Sequence, residues 1–151
     1  MLIYLDICCF NRPFDDQSDL IVRLQTEAKL HVQERIREGV LSLIWSAIMD
    51  VENSANPDVN RKVAIADWKQ LGIVDVAVSK YVEEMAETLS RIGVKPMDAL
   101  HVACAIEAHA ECFLTTDNAL LRKMAKHDKI RVVDPVDFVR GLKDGNDEDR
   151  Y

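Results

Sequence analysis

Four acidic residues, Asp6, Glu52, Asp98 and Asp117, are the side chains of this sequence whose types could do chemistry together. Four carboxylates crowded into one place repel one another, and a fold gathers such a set only around a cation. An all-oxygen ligand set suits Mg²⁺ or Mn²⁺ rather than zinc. A metal so held lowers the pKa of a bound water, supplies a hydroxide and stabilises charge on a phosphate, which is the chemistry of phosphodiester hydrolysis. Each residue also has a plainer reading taken singly. Asp6 would be a turn former, Asp117 a helix cap, Asp98 a carboxylate stabilising a helix start and Glu52 part of a solvated face. Only convergence makes a site of them, so the question passes to the elements that carry them.

Leu2-Ile3-Tyr4-Leu5 is short, apolar and partly β-branched or aromatic, as a buried strand is, and Asp6 ends it. Asn11 to Asp16 is a loop by its turn residues. Ser18 or Asp19 caps a helix over about 19–38, with Leu20, Leu24, Ala28 and Val32 on one face and Gly39 at its end. A second strand runs over 40–45, and Ser46 caps the helix that carries Asp50 and Glu52. Pro57 opens a helix to about Leu71, and a third strand follows over 72–77. Ser79 caps a helix ending at Gly93, and Pro96 opens the next, through Ala110. Cys112 to Thr115 is a fourth strand, Asp117 or Asn118 caps a short helix to about His127, and 130–133 is a fifth strand before a last short helix opened by Pro135.

Strands alternating with helices predict an α/β fold: a three-layer α/β/α sandwich around a mainly parallel five-stranded sheet. Ligands of such sheets bind at the carboxyl ends of the strands, where strand order reverses. Asp6 and Asp117 follow the first and fourth strands. Asp98 starts the helix leading into the fourth strand and so lies at the same end. Glu52 leaves the second strand from that end, about 9 Å along its helix at 1.5 Å per residue. The expectation is that the first and fourth strands lie adjacent and parallel at the centre. Asp50, two residues from Glu52, faces elsewhere on the helix.

The 151 residues suit one domain, read as 1–142, followed by an acidic, flexible tail over 143–151. The formal net charge of -7 excludes a grip on nucleic acid through bulk electrostatics. No apolar run approaches the roughly 20 residues of a membrane helix, and no signal peptide is visible. Cys8, Cys9, Cys104 and Cys112 form no C-x-x-C pair, so a disulfide framework or zinc site is not expected and a reducing cytoplasm is.

The stretches Ile3 to Cys8, Ser46 followed by Glu52, Pro96-Met97-Asp98-Ala99-Leu100-His101-Val102-Ala103 and Phe113-Leu114-Thr115-Thr116-Asp117-Asn118 resemble the PIN domain family, which includes the VapC-type toxins. The resemblance runs from Met1 to about Leu142, and its order and spacing are more specific than any one motif. It implies a PIN-like fold and a Mg²⁺- or Mn²⁺-dependent ribonuclease. The toxin of a toxin–antitoxin pair, with an antitoxin protein as partner, is one form; a housekeeping RNA-processing nuclease is another. It also implies that Asp6, Glu52, Asp98 and Asp117 are the metal-binding acids. Cys8 stands where the family usually has Ser or Thr, a poorer polar group beside a hard metal.

Thr116 is expected near the metal, and His101 is expected to be packed and hydrogen-bonded. Phosphate contacts are assigned to Arg12 and to the cluster Arg122, Lys123, Lys126, Lys129 and Arg131, for which a solvated helix face is the competing reading. Trp45, Trp68, Met85, Met97 and Met124 read as packed residues. Apolar helical surface at Leu20 to Ile36 and Trp68 to Ile73 suggests a homodimer. The alternative function is a PIN-like scaffold that binds a partner without cutting.

Overall fold

The computed structural model describes residues 1–148, with side chains through Leu142. Five strands form one sheet: β1 (Leu2–Leu5), β2 (Ser42–Ser46), β3 (Gly72–Val76), β4 (Cys112–Leu114) and β5 (Arg131–Val133), in the order β3-β2-β1-β4-β5. All four pairings are parallel, with Tyr4 opposite Ile44 on one side and Phe113 on the other. The chain runs outward from β1 through β2 to β3, then returns to β1's other side for β4 and β5. The reversal of order therefore falls between β1 and β4, as expected.

Among the described residues eight helices connect and cover the strands: α1 (Ile7–Asn11), α2 (Leu20–Arg37), α3 (Ala47–Ser54), α4 (Val59–Asp67), α5 (Lys80–Arg91), α6 (Pro96–Glu107), α7 (Asn118–Met124) and α8 (Pro135–Glu148). Ile3, Tyr4 and Leu5 are all buried, as are Leu43, Ile44 and Trp45. Consecutive strand residues face opposite ways, so both faces of the central strands are covered. Helices α2 and α8 pack together, as do α5 and α6. The rim is different: β3 is an edge strand with Ile73 and Val74 exposed.

The starts of the helices follow the expected caps. Asp19 accepts from Ile21 N and Val22 N, Ser46 from Met49 N and Ser79 from Val82 N. Gly39 and Gly93 follow α2 and α5 with φ of 79° and 94°, the left-handed conformation that glycine takes without strain.

Three readings of the sequence are corrected. The chain after Asp6 is helical at once: α1 is followed by a 3-10 turn over Arg12–Phe14 where a loop was expected. Five residues carry no helical period, and α1 stands on the burial of Cys9 and Phe10. The helix expected from Pro57 to Leu71 is two pieces, α4 and a 3-10 turn over Trp68–Leu71, and its cap is Asp58, which accepts from Asn60 N and Arg61 N. Met97 is exposed rather than packed, while Met85 and Met124 are buried. Helix α8 continues to Glu148, so the backbone is helical over the first part of the segment expected to be a flexible tail; residues 149–151 of that segment lie outside the described residues.

Cys8, Cys9, Cys104 and Cys112 are all free thiols. Among the described residues no helix is long and apolar enough to cross a membrane.

Candidate metal centre

Asp6 is the first residue beyond β1. Its N–H donates to Leu114 O at 2.9 Å, which fixes it at the end of the neighbouring strand β4. The side chain is buried. Its Oδ1 accepts from Ile7 N at 2.8 Å, and Oδ2 accepts from the Thr115 hydroxyl at 2.8 Å and the Cys8 thiol at 3.5 Å. Burial pushes its pKa above the ordinary carboxylate range. His101 and the Thr115 hydroxyl pull the other way, and Glu52 adds repulsion. The threonine on Asp6 is thus Thr115, whose Oγ1 also accepts from Asp117 N at 3.1 Å. For Thr116 the structure records a backbone N–H toward Cys8 Sγ at 3.3 Å.

Glu52 sits in the second turn of α3. Its Oε2 lies 2.9 Å from His101 Nε2. Asp6, Glu52 and His101 each offer a ligand atom, and these atoms lie within 4.8 Å of one another. Asp50 points elsewhere: it accepts from Trp45 Nε1 at 2.9 Å and Lys69 Nζ at 3.1 Å.

His101 is fully buried on α6, and its other ring nitrogen, Nδ1, lies 2.6 Å from Tyr4 Oη. Tyr4 Oη is also 2.6 Å from Ser46 Oγ, which accepts from Met49 N at 3.2 Å. Burial pushes the Tyr4 phenol well above its ordinary pKa and keeps it protonated. Nε2–H of His101 donates to Glu52, and the row from Nδ1 through Tyr4 Oη to Ser46 Oγ closes whichever way its protons run. The histidine expected to be packed and hydrogen-bonded has Glu52 as one of its partners.

Asp98 lies in the first turn of α6 and is half-buried. Its pKa is raised to about 6, first by burial, then by the charges of Asp6 and Asp117, with His101 opposing and Glu52 contributing. All three other acids thus act on it through their charge, and Asp117 lines one depression with it, while the close group of ligand atoms among the described residues holds Asp6, Glu52 and His101. Asp117 caps α7, accepting from Ala119 N at 2.9 Å and Leu120 N at 3.3 Å through Oδ1. Its Oδ2 takes no hydrogen bond among the described residues. The cap reading of Asp117 is met through Oδ1.

The donor set fits a hard divalent cation. The oxygens of Asp6, Glu52, Asp98 and Asp117 are acceptor-only when ionised. The raised pKa values mark negative charge that the protein itself leaves uncompensated. His101 is engaged by Glu52 and Tyr4 through its two ring nitrogens.

The expected phosphate-binding cations are placed unequally. Arg12 is tied down: Nε donates to Gln25 Oε1 and Nη1 to Asp15 Oδ2, each at 2.8 Å. Lys123 lines one depression with Asp98, Asp117 and Lys95, so it borders the acids; sequence reasoning passed over Lys95, which stands just before Pro96. Arg122, Lys126, Lys129 and Arg131 are exposed and form no ion pair among the described residues.

The family model of the PIN domain matches residues 3–127. Among solved structures, the chain is similar to VapBC2 from Rickettsia felis bound to a DNA fragment from their promoter. The identity is 13% and the TM-score 0.53, over 89% of this chain and 98% of that chain, which is a likeness of fold. A comparison with curated proteins gives no match. The family match runs from the first strand past α7 and takes in all four acids, and the chain belongs to the PIN domain family.

Proposed function

We propose that the protein is a Mg²⁺- or Mn²⁺-dependent endoribonuclease, acting in the cytoplasm, with Asp6, Glu52, Asp98 and Asp117 as the metal-holding acids. The observation that carries the reading is Asp98, whose carboxyl is held up to about 6 by burial and by the three other acids around it. When bound, the metal would supply a hydroxide at neutral pH and stabilise charge on the phosphate. Asp6 is fixed for its part by Thr115 and by the β4 backbone. Glu52 is aimed by His101, so its free carboxylate oxygen is available to metal or to a water. Lys123 and Lys95, at the edge of the acids, would receive phosphate oxygens, with Arg122 on α7 and Lys126 just beyond its end as further contacts. Thr116 keeps a proposed supporting role beside Thr115, and Arg12 would have to leave Asp15 to reach a phosphate.

The similarity to VapBC2 favours a toxin of a toxin–antitoxin pair, silenced by an antitoxin protein. Exposed Leu20, Ile21 and Leu24 on α2 and Ile73 on β3 offer apolar surface for a homodimer.

The test is incubation of the purified protein with mixed RNAs in Mn²⁺, in Mg²⁺ and in chelator. Cleavage that needs metal and disappears in Asp6→Asn is expected. Wild-type protein that cuts no RNA and gains no thermal stability from either metal would leave only the scaffold function.

A further inference from the structure

A cavity of about 410 Å³ opens beside the acids, between α1, α3 and the start of α4, lined by Ile7, Asn11, Glu52, Ala55, Asn56 and Arg61 among others. Its size lies within the roughly 300–1,000 Å³ of small-ligand pockets. Glu52 is both a wall of this cavity and a member of the carboxylate cluster, so whatever fills the cavity touches the edge of the metal centre. We propose that this cavity is a nucleobase subsite, in which Asn11 and Asn56 read the base of the nucleotide next to the scissile phosphate. The proposal rests on the ribonuclease reading for its substrate, single-stranded RNA.

Two observations favour a base over a phosphate. The first is charge. The Arg61 guanidinium is already met by Asp15 Oδ1 at 3.2 Å, Phe14 O at 2.6 Å and, more distantly, Asp58 Oδ2 at 3.8 Å. Arg12 shares the same Asp15. The site therefore has no surplus positive charge with which to hold a phosphate. The second is the pair of amides. Asn11 Oδ1 is enclosed and has no hydrogen-bond partner, and no partner is recorded for its Nδ2 among the described residues. Asn56 uses Oδ1 to accept from Asp58 N at 3.1 Å, which leaves its NH₂ free. Asn11 Oδ1 is closed off and Asn56 Oδ1 is engaged, so each amide offers its NH₂, a donor suited to the acceptor atoms of a base edge. Apolar walls at Ile7, Ala55 and Pro57 suit the faces of a base splayed out of a single strand.

The experiment has two arms. In the first, wild type, Asn11→Ala and Asn56→Ala cut a pool of randomised single-stranded RNAs in Mn²⁺, and the cut ends are sequenced. One base should be enriched about tenfold at one position beside the cut in wild type. That enrichment should fall below about twofold in Asn11→Ala. An unchanged enrichment in Asn11→Ala, or no enrichment in wild type, overturns the proposal. If wild type cuts nothing, the ribonuclease reading fails, and the second arm decides the cavity alone. Short labelled homopolymers of A, C, G and U are titrated in chelator by fluorescence anisotropy. Base-dependent affinity that is lost in Asn11→Ala upholds the subsite. Equal affinity for all four, or no RNA binding, overturns it and leaves the cavity to a side chain of a protein partner. Asn11→Ala removes an unpartnered acceptor and should melt no lower than wild type; Asn11→Ser serves as a second variant if it does.

Discussion

Asp98→Asn separates the presence of a metal site from the mere presence of acids. In the metal-free protein the Asp98 carboxyl is raised from 3.8 to about 6. At about 1.4 kcal/mol per pKa unit, keeping it ionised costs the fold at most about 3 kcal/mol. Asp98 is half-buried, and screening by water leaves on the order of 1–2 kcal/mol. A folded-state pKa above the unfolded one means that the folded chain binds more protons between about pH 4 and pH 6. Stability from this group is therefore full below that window and falls as pH rises through it. Asp98→Asn keeps the shape and removes the charge. In chelator near pH 7.5 the variant should melt about 3–6 °C above wild type, at about 2–4 °C per kcal/mol for a chain of this size. Near pH 4 the two should coincide. With Mn²⁺ at about a hundred times its Kd, wild type gains about 2.7 kcal/mol and the variant much less, so the order reverses. Thermal melts at the two pH values, with and without Mn²⁺, read all of this. Equal melting temperatures in chelator, or an equal gain from Mn²⁺, would refute the reasoning.

His101→Ala should weaken metal binding about 10–100-fold by releasing Glu52, measured by titration calorimetry with Mn²⁺, while the fold persists. Tyr4→Phe leaves His101 Nδ1 buried without a hydrogen-bond partner and should cost about 1–3 kcal/mol in urea denaturation. Lys29 is buried, forms no ion pair among the described residues and has its pKa lowered to about 8, chiefly by burial and with Arg37 adding repulsion. The rings of Phe10 and Trp68, at 5.2 Å and 5.6 Å from Nζ, offset part of that cost. Lys29→Met should therefore stabilise the protein by about 1–2 kcal/mol at pH 7. The gain should shrink as pH rises past 8, where the folded lysine is neutral and the unfolded one still charged. Light scattering at micromolar concentration should give a dimer mass, and Ile73→Lys on the exposed edge strand tests whether β3 forms the contact.

The sheet and its order were legible because the central strands are short apolar runs with turn residues between them, and a parallel sheet then fixes which ends carry Asp6 and Asp117. Glu52 and Asp98 could be placed because helix starts inherit their end of the sheet from the strands they join. What escaped depended on partners distant in sequence. Helix α1 is held by tertiary burial of Phe10, not by any periodicity. Arg12 looked available until Asp15 and Gln25 closed on it. Thr115 and Thr116 differ by one position in a strand end, and only the pleat decides which one turns toward Asp6. The link from His101 to Glu52 had one signal, three residues of helix after Asp98, and that spacing alone does not reveal what the other ring nitrogen meets.

The central position of β1 has a consequence for how the molecule comes into being. Tyr4 bonds to Ser46 and His101, 42 and 97 positions away, and Asp6 bonds to Thr115 across 109 positions. Closing such loops precedes the contacts that reward them, so this end of the sheet orders late in folding. Synthesis delivers residues in sequence at about 5–20 per second, so the first acid waits roughly 5–20 seconds for the threonine that fixes it. Until then β1 has β2 beside it and nothing on its other edge, and the carboxylates cannot meet. A protein built in this order has no assembled carboxylate cluster through most of its own translation, and completes one only with the last quarter of the chain.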